Sequence, residues 1–231
     1  SGTVGKDNTS YRQSSVSGAT GATTANSTVT YRNKELTYEM GAEGPLFTLP
    51  GGEARLATGA GYRYNDFLDL ISNTTYADGD ESSRFGYAEL SLPMIGAGQG
   101  VRRVERLALT GAIRTEDYRT YGRVNTPKFG LIYSPNADFT LKTSWGRSFK
   151  APRFLQRYSA QYALYYPPTV FGGTGYPADA TVLYLTGRGA DLRPERAQTW
   201  STSLAFHPEA LPGLEAELTR FDIDYTDRIV Q

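Results

Sequence analysis

Along most of this chain, apolar and polar side chains alternate at every second position, the period of a β-strand with two different faces. The alternation is clearest in Phe139-Thr140-Leu141-Lys142-Thr143-Ser144-Trp145, where Phe139, Leu141 and Trp145 share one face and Thr140, Lys142 and Ser144 the other. The stretch 106–114 repeats it with Leu107, Leu109 and Ile113. Over 53–65 the apolar face carries Ala54, Leu56, Ala60, Tyr62 and Tyr64, opposite Glu53, Arg55, Arg63 and Asn65. Phe129, Leu131 and Tyr133 mark another strand, and Trp200, Leu204 and Phe206 one more. Near the end, Leu214, Ala216 and Leu218 are in phase, while Phe221, Ile223 and Tyr225 are one residue out, so a bulge is expected near Thr219 and Arg220. Residues 28–43 are less regular. Residues 1–26 are rich in Ser, Thr, Gly and Ala and predict a polar loop.

The pattern predicts an all-β, antiparallel up-and-down meander of about eight strands over 27–231. Connection lengths are expected to alternate. Residues 134–138, 207–213, 44–52 and 94–101 are short or Gly/Pro-rich. Residues 72–83, 115–125 and 150–193 are longer or more polar. Short turns at one end and long loops at the other suit a transmembrane barrel wall. Tyr133, Phe139 and Phe206 lie toward the short turns, and Trp145, Phe149 and Trp200 toward the long loops, which matches two interfacial girdles. The faces assign Arg55, Arg63, Arg106, Arg114, Lys128, Lys142, Glu215 and Glu217 to a lumen.

Composition narrows the function. Of 231 residues 17 are Tyr and 25 Gly, and Lys plus Arg balance Asp plus Glu at 24 each, so no basic field points to nucleic acid. There is no cysteine, which removes thiolate nucleophiles and thiolate metal sites. The one histidine, His207, precedes Pro208 at a turn and lacks catalytic or metal partners. Asp222, Asp224 and Asp227 lack the glycine-containing spacing of a calcium loop. Gly59-Ala60-Gly61 and 96–100 are not followed by a helical pattern. No enzyme, cofactor or metal site is expected.

Five ordered segments carry a family resemblance. They are Tyr87-Ala88-Glu89-Leu90-Ser91-Leu92-Pro93, Pro127-Lys128-Phe129-Gly130-Leu131-Ile132-Tyr133-Ser134-Pro135, Ser144-Trp145-Gly146-Arg147-Ser148-Phe149-Lys150-Ala151-Pro152, Asp191-Leu192-Arg193-Pro194-Glu195, and 218–229 around Phe221-Asp222-Ile223-Asp224-Tyr225. Together they resemble the C-terminal barrel of TonB-dependent outer-membrane receptors, from about Gly52 to Val230. The resemblance implies a Gram-negative outer-membrane location. It also implies uptake of a scarce nutrient, a ferric siderophore or similar iron complex first and a saccharide as an alternative. Implied partners are outer-membrane lipid, a plug domain of the same protein, the TonB complex acting through an N-terminal region, and a small ligand such as a metal chelate. No plug, no TonB box and no aromatic-ended final strand are recognisable. With about 22 strands in the family's barrels, the chain reads as an internal fragment.

The best ligand candidate is 150–193, with Arg153, Arg157, Tyr162, Tyr165 and Tyr166 as expected contacts. Arginine takes anionic oxygens bidentately, and Tyr supplies rigid stacking area. Such a loop suits an anionic aromatic chelate or a glycan, or packs on itself. The competing class is a soluble or secreted β-rich binding module, which would hide the apolar face between two sheets.

Overall fold

The structure, a computed structural model, describes residues 2–16, 23–189 and 191–229. Nine strands form one sheet in chain order: β1 (Gly2–Val16), β2 (Thr23–Leu49), β3 (Gly52–Ile71), β4 (Thr74–Ile95), β5 (Arg106–Tyr118), β6 (Gly122–Ser134), β7 (Phe139–Lys150), β10 (Glu195–Phe206) and β11 (Ala216–Thr226). Every pairing is antiparallel and joins neighbours in that order. Between β7 and β10 lie a short helix, α1 (Phe154–Tyr158), and a separate two-stranded ribbon of β8 (Tyr162–Tyr166) and β9 (Val182–Thr186).

Residues directly opposite in a ladder share a face. The register aligns Phe129, Trp145 and Trp200 in one row, Leu92, Leu109 and Leu131 in a second, and Leu107, Tyr133, Leu141, Leu204 and Leu218 in a third. All three rows lie on one face, with Ile113 and Phe139. Among the described residues no second sheet covers it. Phe129 is 57% exposed, Ile113 52%, Trp200 51% and Leu204 44%. A contiguous apolar face left open on a meander needs an apolar solvent, which excludes the sandwich. The other face carries Arg55, Arg63, Arg106, Arg114, Lys128, Lys142 and Glu217, as the alternation requires. Glu215 precedes β11 and belongs to a connection.

On the apolar face Phe139 stacks on Phe206 at 4.7 Å, and Phe129 on Trp145 at 5.8 Å. Six residues of β7 separate the two levels, about 20 Å along the strand. That is close to the outward apolar band of a membrane barrel, about 25 Å tall.

Three expectations need correction. Residues 2–16 and 23–26, expected as part of a loop, are strand. Ladder formation needs only backbone pairing, and polar cross-strand pairs such as Ser10–Thr30, 3.0 Å between hydroxyls, support it without an apolar face. Ser1 and 17–22 lie outside the described residues. Counting β1, the main sheet has nine strands, in keeping with the expected meander of about eight. Most of 72–83 and 115–125 is also ladder. β3 and β4 meet at a turn of Ser72 and Asn73, both at positive φ (49° and 66°), and β5 and β6 at Arg119, Thr120 and Tyr121. Of these three, 150–193 alone remains a long loop among the described residues.

Finally, β10 and β11 pair without a register shift, so there is no bulge at Thr219 or Arg220. The phase break therefore stands. Leu218, Asp222 and Asp224 lie on the apolar face, and Phe221, Ile223 and Tyr225 on the polar one. Shifts occur instead at Ser15/Val16, Pro45/Phe47, Asp69/Leu70 and Pro93/Ile95.

The two ends of the sheet differ as expected. At one, the 134–138 and 207–213 connections touch: Asp138 accepts hydrogen bonds from the backbone of His207 and Glu209, each 2.9 Å. At the other lie the 72–73 and 119–121 turns and the long loop.

Candidate functional site

The long loop turns inward because its first element is a helix with apolar and aromatic anchors. Pro152 is buried at the end of β7, and the Gln156 side chain accepts the Arg153 N–H at 2.8 Å, starting α1. Phe154 stacks on Phe67 of β3, 5.5 Å between centroids and 10° from parallel. Tyr158 lies over Gly79 of β4, where any side chain would overlap its ring, and donates from its hydroxyl to the Asp80 carbonyl at 3.2 Å. Phe67 and Gly79 are register partners on the polar face, so the helix sits on the luminal side of the wall.

Arg157 and Glu81 fix this seat. Their Nη1 and Oε2 are 2.7 Å apart, and both side chains are 10% exposed or less. The guanidinium lies over Tyr158 and Tyr121, 4.9 and 5.6 Å from their ring centroids. Burial pushes the Tyr121 phenol well above its ordinary range, helped by neighbouring Tyr118 and Glu81. It stays a neutral donor at any physiological pH. Arg119 of the same turn pairs with Asp80 at 2.8 Å.

The returning chain is tied down twice. The Gly189 N–H donates to the Gln156 carbonyl at 3.0 Å. Glu195, 3% exposed at the loop end of β10, accepts from Lys150 Nζ, the Tyr225 hydroxyl and the Ile229 N–H, each at 2.9 Å. The Lys150 ammonium first, then these two donors, hold its carboxyl down at about 2.

These ties enclose an open cavity of about 840 Å³ at the mouth, lined by Tyr121, Arg157, Tyr158, Asp191, Arg193 and Arg196 among others. Three guanidiniums face one carboxylate there. Arg157 is spent on Glu81. Among the described residues, neither Arg193 nor Arg196 has a carboxylate within ion-pair distance. The cavity can therefore bind an anion with aromatic character, through forked donors and ring faces.

Of the five residues expected as contacts, only Arg157 lines this cavity. Arg153 is exposed at the start of α1. Tyr162 stacks on Tyr76 at 5.9 Å, Tyr166 meets Tyr184 and Phe171 edge-on, and Tyr165 is 72% exposed on the β8–β9 ribbon. Tyr121, Arg193 and Arg196 escaped the sequence reading. Arg193 and Arg196 flank the Pro194-Glu195 return, which was a usable signal. Tyr121 arrives from another turn, and no spacing in the sequence announces it.

The profile of the family described as "TonB dependent receptor-like, beta-barrel" matches residues 2–231. A probable TonB-dependent siderophore receptor, PirA of Acinetobacter baumannii, is 25% identical over 190 residues, 76% of this chain and 23% of that protein. The crystal structure of the siderophore receptor PirA from Acinetobacter baumannii superposes with a TM-score of 0.66 at 18% identity, covering 97% of this chain and 32% of that one. That of PirA from Pseudomonas aeruginosa gives 0.58 at 20% identity, covering 97% and 40%. The chain thus spans well under half the length of these relatives.

Proposed function

The chain belongs to the β-barrel family of TonB-dependent receptors, and from that premise we propose that its parent protein takes up a ferric siderophore across the outer membrane of a Gram-negative cell. The observation that carries the proposal is the mouth cavity, where Arg193, Arg196, Tyr121 and Tyr158 converge beneath the inward-folded loop. Ferric chelates built on catecholates are anionic and aromatic, the chemistry such a cavity favours. Relatives named as siderophore receptors support the same reading.

In this reading Arg153, Tyr162, Tyr165 and Tyr166 are rim contacts met before the cavity. Arg157 acts through Glu81 to hold the loop. The luminal row of Arg63, Glu116 and Arg114, with Nη atoms 3.5 and 3.0 Å from the Glu116 carboxylate, faces a plug supplied by the parent protein. The TonB complex acts on the parent's N-terminal region.

The test is binding of ferric catecholate to the full-length receptor carrying Arg193→Ala and Arg196→Ala. Hydrogen bonds to charged groups contribute about 1.5–3 kcal/mol each, so affinity should fall at least tenfold, with heat-modifiable barrel migration unchanged. Unchanged affinity, or competition by a neutral saccharide alone, would sink the proposal.

A further inference from the structure

The apolar face changes character just above its upper aromatic row. Arg147 and Gln198 lie two residues beyond Trp145 and Trp200 on the same face, and Asn125 and Arg123 four and six beyond Phe129. Pro127 has no N–H to give, and the β6–β7 pairs stop at Lys128 opposite Gly146. The upper parts of β6 and β7 are thereby released from each other. A depression of about 440 Å³ opens there, lined by Arg123, Asn125, Arg147, Arg196, Gln198 and Asp224 among others. Three guanidiniums again face one carboxylate.

Arg147 is held over the Trp145 ring, 5.6 Å from its centroid, and its Nε donates to Gln198 Oε1 at 3.4 Å. Arg123 Nη2 is 3.8 Å from Asp117. All three arginines are exposed. Directly below lies an apolar furrow of about 400 Å³ lined by Leu109, Leu131, Trp145 and Trp200 among others.

We propose that this outward depression is a binding site for the phosphate-bearing headgroup of an outer-leaflet lipid, whose acyl chain occupies the furrow. The two halves match the two halves of such a molecule. Forked donors at headgroup depth take phosphate oxygens, and the furrow takes hydrocarbon. Sequence position explains why soluble ligand is not the occupant: Arg123 and Arg147 are on the face turned away from the lumen, continuous with the lipid-facing rows.

The test uses the full-length receptor in phosphatidylcholine nanodiscs doped with dibrominated phosphatidic acid or with dibrominated diacylglycerol, which lacks the phosphate. Bromine quenching of tryptophan fluorescence reports lipid in the furrow. The parent should prefer the phosphorylated probe by about tenfold or more. Arg123→Gln with Arg147→Gln should abolish that preference and leave diacylglycerol quenching unchanged. Arg196 is kept, because it also lines the mouth cavity. Retained binding of ferric chelate verifies that the variant is folded. Equal quenching by the two probes in the parent overturns the proposal. So does an undiminished preference in the variant, or displacement of phosphatidic acid by millimolar inorganic phosphate, which would make this a free-anion site.

Discussion

At the scale of single residues, the mouth is held by charges that have left water, and their removal has asymmetric consequences. Arg157→Ala strands Glu81 as a buried, uncompensated carboxylate, which costs about 3–5 kcal/mol. Replacing both partners with methionine should recover most of that loss. Amide exchange across α1 in the three variants checks this, and equal exchange in the single and double variants would refute it. Glu195 gives a pH dependence with a definite sign. Its folded value, about 2, lies below the ordinary 4.5, so its contribution is full above pH 4.5 and is lost as pH falls from there toward 2. Exchange at the Ile229 amide, corrected for intrinsic rate, should accelerate over that window. In Glu195→Gln, whose amide oxygen accepts the same N–H but does not titrate, the step should be absent. Gly79 is a purely steric case. Gly79→Val drives a branched side chain into the Tyr158 ring, and overpacking of this kind costs about 1–3 kcal/mol. Loosened protease protection of 150–193 is the expected readout.

At the scale of elements, the two faces of one strand answer to different solvents. Leu109 sits between the two aromatic levels on the apolar face, opposite Leu131 and Leu92. Leu109→Arg should destabilise the intact barrel by about 2–4 kcal/mol, the depth-dependent cost of a cation near the bilayer midplane. Lys142→Ala, on the polar face, should stay within about 0.5 kcal/mol. Unfolding of the intact barrel in lipid with urea separates the two, and equal effects would reverse the assignment of faces. The ends of the elements obey a second constraint. β2, β3 and β4 run for 27, 20 and 22 residues, whereas a spanning strand needs about 9–11. In the proposed membrane setting the excess extends beyond the bilayer.

At the scale of the molecule, the sheet is an open wall. β1 and β11 each have one neighbour, and their free edges and bare apolar face make the 231-residue chain dependent on a closed barrel and a membrane. Expressed alone it should aggregate without detergent. With the wall set in the outer membrane as proposed, its two ends lie in different compartments. Cysteine at Asn73 or Tyr166 should react with an impermeant maleimide on whole cells, and cysteine at Asn136 should not. The opposite labelling would invert the topology.

The alternation of apolar and polar residues determined by itself that this is a two-faced antiparallel meander, because a strand's period of two assigns each side chain to a face without reference to its neighbours. It also placed both aromatic levels and the loop at 150–193, but took 72–83 and 115–125, which are mostly ladder, for loops as well. It could not determine the strand formed by residues 2–16, since backbone pairing leaves no mark on a polar sequence. Nor could it decide between a bulge and a true change of face at Thr219, where only the partner strand β10 fixes the register. Arg153, Arg157, Tyr162, Tyr165 and Tyr166 were legible as a cationic, aromatic loop. Their division into one buried anchor, a rim and a self-packed ribbon was not. Tyr121, Arg193 and Arg196 come from separate turns and strands, and only the folding of the 150–193 loop onto β3 and β4, pinned by the Arg157–Glu81 pair, brings them to a common cavity with Arg157.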